Sequence, residues 1–353
     1  MNNTKVRQSN LEPCRIVAIL LVVLLHSNFG WCGWPSSIDD CNILMLFVEA
    51  FAIVGVNVFV MITGYFSTNL KTKSIINLFY ICLFYAVVRL LYGVTTGHVN
   101  PKDIFFISSS NWFIPSYLGL LLFTPMLNAI DRQKYSLGGI LILLLLYEIW
   151  FGYLPAMAQI EPGFNHGYSV ISFAVIYLLA RYIRLYGIAK WIRKSSLTIY
   201  VICSVLIGIE AYILLYCYSG YVHNVSNVIN FIAYSYCNPL VILSSVAFFL
   251  TFEKMKIGYL KVINYVAQSV LAVLLIHSSS TLNPQMKLYF RNILYEGNYD
   301  GISVVFLWVL GILGIFIISI LIDSVRIYSY KLVGQWLVAN ANLLVNKISN
   351  NLK

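Results

Sequence analysis

Ten apolar runs, each about as long as one membrane crossing, constrain this chain more than any other feature. A hydrocarbon core of about 30 Å takes roughly 20 residues of α-helix. By that measure spans are predicted at about 13–32, 43–66, 74–93, 112–130, 138–156, 168–186, 196–217, 228–250, 263–283 and 302–325. Lipid offers no water to satisfy backbone N–H and C=O groups, so runs of this length have to be helical. The expected fold is therefore an all-α polytopic integral membrane protein with about ten transmembrane helices. Composition agrees: 10% of the 353 residues are charged, where soluble domains carry about 25%.

The segments between the runs, such as "STNLKTK", "DRQK" and "EPGFNHG", are short and polar, and none could hold a soluble domain. The first run is too long for the core of a signal peptide and lacks a small-residue cleavage site, so it is expected to stay as a signal anchor. The net charge of +10 points to membrane topology, and nucleic acid is not an expected partner. Lys5, Arg7, Lys71, Lys73, Arg132, Lys134, the cations from Arg181 to Lys194, and Lys254, Lys256 and Lys261 fall on one side of the predicted bundle. Lys102, Lys287 and Arg291 fall on the other. Basic loops stay in the cytoplasm, which places both termini there. The chain then divides into a transmembrane domain, residues 1–325, and a tail, 326–353. The tail's amphipathic pattern predicts a helix along the inner surface.

Two residues of "CRIVAILLVVLLHSNFG" sit uneasily in an apolar helix. Arg15 and His26 are eleven residues apart, close to three turns, so they share a face about 16 Å apart along the axis. Arg15 falls at the cytoplasmic interface and His26 near the midplane, where an ionisable side chain is costly and faces a cavity or a polar partner. Imidazole can take a proton from a hydroxyl and return it. The guanidinium is a fork for phosphate or carboxylate.

Glu49, Arg89, Glu148, Glu210 and His277 also fall at membrane depth. Glu148 and Glu210 suit pairing within the bundle. A short loop joins the helix of Glu49 to that of His26, so this carboxylate is expected to orient the imidazole, as the acid does in hydrolytic triads. The histidines lack cysteine or carboxylate partners at ligand spacing, so no metal site is predicted. No phosphate-cradling glycine loop is present. Cys32, at the end of the first run, and Cys41 could meet in a loop outside the membrane and form a disulfide.

The same residues resemble a known family. Arg15 and His26 match the R-x10-H pattern of the acyltransferase-3 family of integral membrane acyltransferases. "GVNVFVMITGYF" (55–66) is similar to its second-helix signature, "NWFIPSYLGLLLFTPMLN" (111–128) to its W-F/Y-x-x-x-Y then P-x-L-N segment, and "SVLAVLLIH" (269–277) to its late S-x-x-G-x-Y-L-x-H helix. Three positions depart from the pattern. Asn57 stands where many members are acidic, Leu274 where tyrosine is frequent, and "LKTKS" replaces an arginine-rich stretch.

The resemblance implies a multi-pass protein of the bacterial inner membrane that moves an acyl group, in the first instance acetyl, from acyl-CoA to a hydroxyl of a surface glycan or lipid-linked sugar. His26 would be catalytic, with Glu49 and His277 as further candidates. Arg15, Lys71 and Lys73 would hold the donor, which is a substrate and not a permanently bound cofactor. Arg89, Trp112 and Tyr117 are the candidates for contact with the acceptor. The lipid bilayer is a partner, and a homodimer is compatible with this reading. Either the membrane domain completes the transfer or a separate protein collects the acyl group. The alternative is a transporter or exporter of polysaccharide or its intermediates, which intramembrane Arg, Glu and His would also serve. The lack of an evident internal repeat speaks against it.

Overall fold

A computed structural model describes residues 10–68, 71–130, 134–154, 164–221 and 225–351, with side chains except at 134–136 and 344–351. Of the cations that set the predicted orientation, Lys5, Arg7, Arg132 and the side chain of Lys134 lie outside the described residues. The protein is all-helical. α1 (Leu11–Leu25) runs into a π-helical turn at His26–Gly30. α2 (Ile43–Ala52) and α3 (Gly55–Tyr65) form one crossing, followed by α4 (Thr72–Thr96), the short α5 (Pro101–Ile104) and α6 (Phe113–Ala129). α7 (Lys134–Glu148), α8 (Val170–Tyr186), the short α9 (Lys190–Lys194) and α10 (Ser196–Tyr218) come next. The chain closes with α11 (Val225–Val228), α12 (Pro239–Glu253), α13 (Lys261–Val266), α14 (Val270–His277), α15 (Pro284–Arg291) and α16 (Gly301–Asn351).

Among the described residues, five helices are long and apolar enough to cross a bilayer, or six if the bent pair Pro101–Asn111 and Phe113–Ala129 is one span. Leu137–Tyr153, Pro239–Glu253 and Lys261–His277 are shorter apolar helices at three more of the predicted positions. Phe79, Leu83, Leu91 and Val94 on α4, with Val305, Phe306, Leu310 and Leu321 on α16, leave large apolar surface uncovered. Such a surface is stable against lipid and prone to aggregation in water.

Two predicted spans differ from the structure. Residues 228–250 are not one helix: a π-helical turn ends at Ala233 and α12 begins at Pro239. Asn238 caps α12, its Oδ1 accepting from the Leu240 N–H at 2.9 Å, and proline at the first helical position suits that start. The predicted boundary at residue 325 has no break either. No proline interrupts residues 301–351, and α16 carries the last apolar run and most of the tail as one helix.

α3 lies at the centre, packed against α1, α8 and α12. Ten of its eleven residues are buried, and Phe59 is the exception. A helix apolar all round belongs in a core, and glycines let neighbours reach it. A Cβ on Gly64 would stand 2.3 Å from the Tyr177 carbonyl oxygen on α8, and one on Gly55 would stand 2.9 Å from the Ala18 carbonyl oxygen on α1. These are backbone contacts, so no rotamer change relieves them. Gly64→Val is expected to cost at least the upper part of the ~1–3 kcal/mol typical of overpacking. Folded protein recovered from membranes, followed by size-exclusion chromatography, checks this; wild-type recovery would contradict it.

Glu210 and the buried Glu148 are held by neutral hydrogen-bond donors. Glu210 accepts from the Tyr153 hydroxyl at 2.5 Å and from Asn238 Nδ2 at 2.9 Å, while Glu148 accepts from the Cys237 thiol at 3.4 Å. Cys32 and Cys41 are both free thiols, so the predicted pair is not bridged.

Candidate active site

α1 ends where its chemistry begins. The turn widens at His26–Gly30, and Asn28 leaves helical geometry (φ −81°, ψ −110°). π-turns inside helices recur at functional sites because the wider turn displaces a side chain from the regular ladder. This one is held on several sides. Trp308 of α16 donates Nε1–H to Ser27 Oγ at 2.8 Å, and Ser27 donates to the Leu24 carbonyl at 2.8 Å. Asn28 Nδ2 donates to the Met45 carbonyl at 3.0 Å and to Glu49 Oε2 at 2.8 Å. Glu49 is thus bonded to Asn28 and not to His26, which corrects the triad-like expectation: this carboxylate fixes the turn that carries the imidazole.

His26 and His277 come together from α1 and α14, their ring centroids 4.9 Å apart and their planes tilted by 51°. Trp31 stacks beside His26 at 6.2 Å and meets His277 edge-on at 6.3 Å. His277 Nδ1 is 2.6 Å from the Val273 carbonyl oxygen, so this nitrogen carries the proton and Nε2 the lone pair. His277 Nε2 and His26 Nδ1 are both buried without a hydrogen-bond partner.

Three cavities lie along a path to His26, and His277 lines none of them. An inner cavity of about 170 Å³ is lined by His26, Trp34, Asn111, Trp112, Tyr168 and Ser278, among others. A middle cavity of about 350 Å³ is lined by Arg15, Thr63, Asn77, Tyr117 and Gln268, and it shares Phe59, Phe113 and Leu274 with the inner one. Arg15 also lines a vestibule of about 1440 Å³ together with Arg184, Arg193, Lys254 and Lys256. Among the described residues Glu253 is the one carboxylate on its wall, and it is paired to Arg193 at 2.6 Å. Arg15 itself donates to Glu12 Oε2 at 2.7 Å. A cationic mouth, a passage and an imidazole at the inner end are what a transferase needs for a phosphate-bearing donor.

The sequence profile of the acyltransferase-3 family, described as an acyltransferase domain, matches residues 9–324. The chain belongs to this family. No curated protein and no solved structure gives a significant match. The protein is accordingly a membrane acyltransferase.

In this acyltransferase several predicted contacts fall elsewhere. Arg89 lines none of the three cavities. It is wholly buried, with Nη1 bonded to the Asp103 carbonyl (2.6 Å) and Nη2 to the Leu275 carbonyl (2.6 Å) and Asn111 Oδ1 (3.1 Å). Arg89 Nη1 also lies 3.4 Å from Asp103 Oδ1. Its Nε has no hydrogen-bond partner but is buried away from all three cavities, and Arg89 reaches the inner cavity through Asn111, which lines it. Lys71 and Lys73 are exposed and neither lines the vestibule; Lys73 borders a separate groove beside α16. Trp112 does line the inner cavity, and Tyr117 the middle one, its hydroxyl 3.2 Å from Thr63 Oγ1.

The vestibule cations Arg184, Arg193, Lys254 and Lys256 enter the sequence reading only as markers of orientation, and the fold brings them to one cavity wall. Asn28, two residues beyond His26, is marked in the sequence only by its place near the end of the first apolar run.

Proposed function

We propose that this acyltransferase moves a short acyl group, in the first instance acetyl, from cytoplasmic acyl-CoA to a hydroxyl of an extracytoplasmic glycan or lipid-linked sugar. The orientation follows from the loop charges: about ten crossings in a bacterial inner membrane, both termini in the cytoplasm, and the vestibule facing the donor. The observation that carries the reading is the placement of His26 at the inner end of a path whose mouth gathers Arg15, Arg184, Arg193, Lys254 and Lys256. In this reading the CoA phosphates meet the vestibule cations, the pantetheine arm lies in the middle cavity, and the thioester carbonyl enters the inner one.

His26 Nε2 takes the proton of the acceptor hydroxyl while its oxygen bonds to the thioester carbonyl carbon. The C–S bond then breaks, and the departing CoA thiolate takes the proton from His26. This requires the lone pair on Nε2 and a proton on Nδ1. His277, whose own Nδ1 is committed to Val273, leaves the lone pair of Nε2 beside the His26 ring without a hydrogen bond between them, and that partial negative charge favours a proton on the His26 nitrogen facing it. It is a positioning residue. Trp112 and Tyr168 line the inner cavity where the carbon bearing the acceptor hydroxyl has to enter.

Glycan acetylation read by NMR in a deletion strain complemented with the wild-type gene tests the whole reading. Restored acetyl signals support it, whereas restored surface glycan with unchanged acetyl content would favour the exporter reading. Arg184→Gln with Lys256→Gln is expected to raise KM for acetyl-CoA at least tenfold and leave kcat within a few-fold, since a hydrogen bond to a charged group contributes about 1.5–3 kcal/mol. An unchanged KM in solubilised enzyme would take the donor phosphates away from the vestibule.

A further inference from the structure

Phe59, Phe113 and Leu274 line both the inner and the middle cavity and so form the wall between them. They come from three elements: Phe59 from the central α3, Phe113 from the start of α6 and Leu274 from α14. Their packing differs. Phe113 is buried and held by ring neighbours, stacked on Tyr117 at 5.5 Å and tilted against Phe173 at 5.6 Å. Phe59 is the one residue of α3 that is not buried, and it makes no ring contact among the described residues. Leu274 is likewise only partly buried, although the residues on either side of it, Val273 and Leu275, have no exposed surface. Two partly exposed side chains and one closely packed aromatic ring thus make up the boundary shared by the inner and middle cavities.

We propose that this wall determines the length of the acyl group transferred, with Leu274 and Phe59 as the specificity-determining residues. The inference rests on the acyl-transfer reading above and deepens it by naming the donor class: CoA thioesters of two- or three-carbon acids. The inner cavity, about 170 Å³, is comparable to the ~150 Å³ apolar cavity that accommodates a benzene molecule. That space has to take both the acyl group and the carbon bearing the acceptor hydroxyl, which leaves room for two or three acyl carbons. A longer chain has nowhere to turn, because the wall closes behind the thioester carbonyl. Polar atoms are not what excludes it: the three wall side chains carry none, so discrimination is by volume, which yields about 10–200-fold per methylene.

Enlarging the wall merges the two cavities and should admit the longer chain. The test uses membrane vesicles that contain the endogenous acceptor, from a deletion strain expressing wild type, Leu274→Ala, Phe59→Leu or Leu274→Trp. Each is given [14C]acetyl-CoA or [14C]butanoyl-CoA at equal abundance of the protein. Wild type is expected to prefer acetyl by at least tenfold, and Leu274→Ala and Phe59→Leu to reduce that preference by tenfold or more. Leu274→Trp, which narrows the opening, is expected to lose transfer of both groups while still binding desulfo-CoA at the vestibule.

Acetyl transfer that persists in Leu274→Ala and Phe59→Leu with the wild-type preference would overturn the proposal and leave the acyl-transfer reading standing. Transfer of neither label by wild type would overturn that reading, and this one with it. Butanoyl transfer by wild type as fast as acetyl would overturn the wall as a selector outright.

Discussion

His26→Ala is expected to lower acyl transfer by about 10²–10⁴-fold, the range for loss of a general base, while the protein accumulates normally. Both halves of that expectation come from geometry. The imidazole lines the inner cavity and has no hydrogen bond whose loss would strand a partner. Removing it takes away the proton acceptor and leaves intact the Trp308–Ser27 and Asn28–Glu49 bonds that hold the turn. CoA release from acetyl-CoA by membranes of equal protein content is the measurement. Wild-type turnover in the variant would end the assignment of His26, and loss of the protein along with the activity would make its role structural.

Arg89→Met is expected to have the opposite profile: large loss of stability and an unaltered KM in the protein that survives. Asp103 accepts from Asn111 Nδ2 at 2.9 Å, from Ser279 Oγ at 2.5 Å and from the Thr281 N–H at 3.1 Å. The guanidinium is the counter-charge of that cluster and ties α4 to α5 and α14. Breaking a buried ion pair from one side costs about 3–5 kcal/mol, because the other charge stays buried without its partner. Thermal unfolding in detergent measures it. Arg89→Met combined with Asp103→Asn should destabilise less than the sum of the two single changes, since neither charge is then stranded. Additive losses, or a selective rise in KM for the acceptor, would return Arg89 to the substrate.

His26 was legible in the sequence because burying an ionisable group in an apolar run is costly wherever the chain folds. Most helices were legible for the same reason, as apolar length has few alternatives in lipid. The break before α12 was legible too, in the Asn238-Pro239 pair, but the apolar residues on both sides concealed it. What the sequence could not carry was partnership between distant segments. Asp103 lies in a segment with no apolar pattern, so nothing tied it to Arg89. Glu49 reads as a neighbour of His26 when α1 is drawn as a regular helix. The π-turn changes which side chain points across, and Asn28 takes the bond. The vestibule cations are spread over α1, α8, α9 and the end of α12, and only folding brings them to one mouth.

In a chain that crosses a bilayer, two cavities in series are also the beginnings of a pore. A membrane potential of 100 mV acts on each elementary charge with about 2.3 kcal/mol, so a continuous file of water through the protein would drain ions. Phe59, Phe113 and Leu274 interrupt that file with side chains that offer water no hydrogen bond, the principle by which hydrophobic constrictions close channels. The partition between the middle and inner cavities is therefore also the electrical insulation of the site, and substitutions there bear on how tightly the membrane is sealed as well as on which substrate passes.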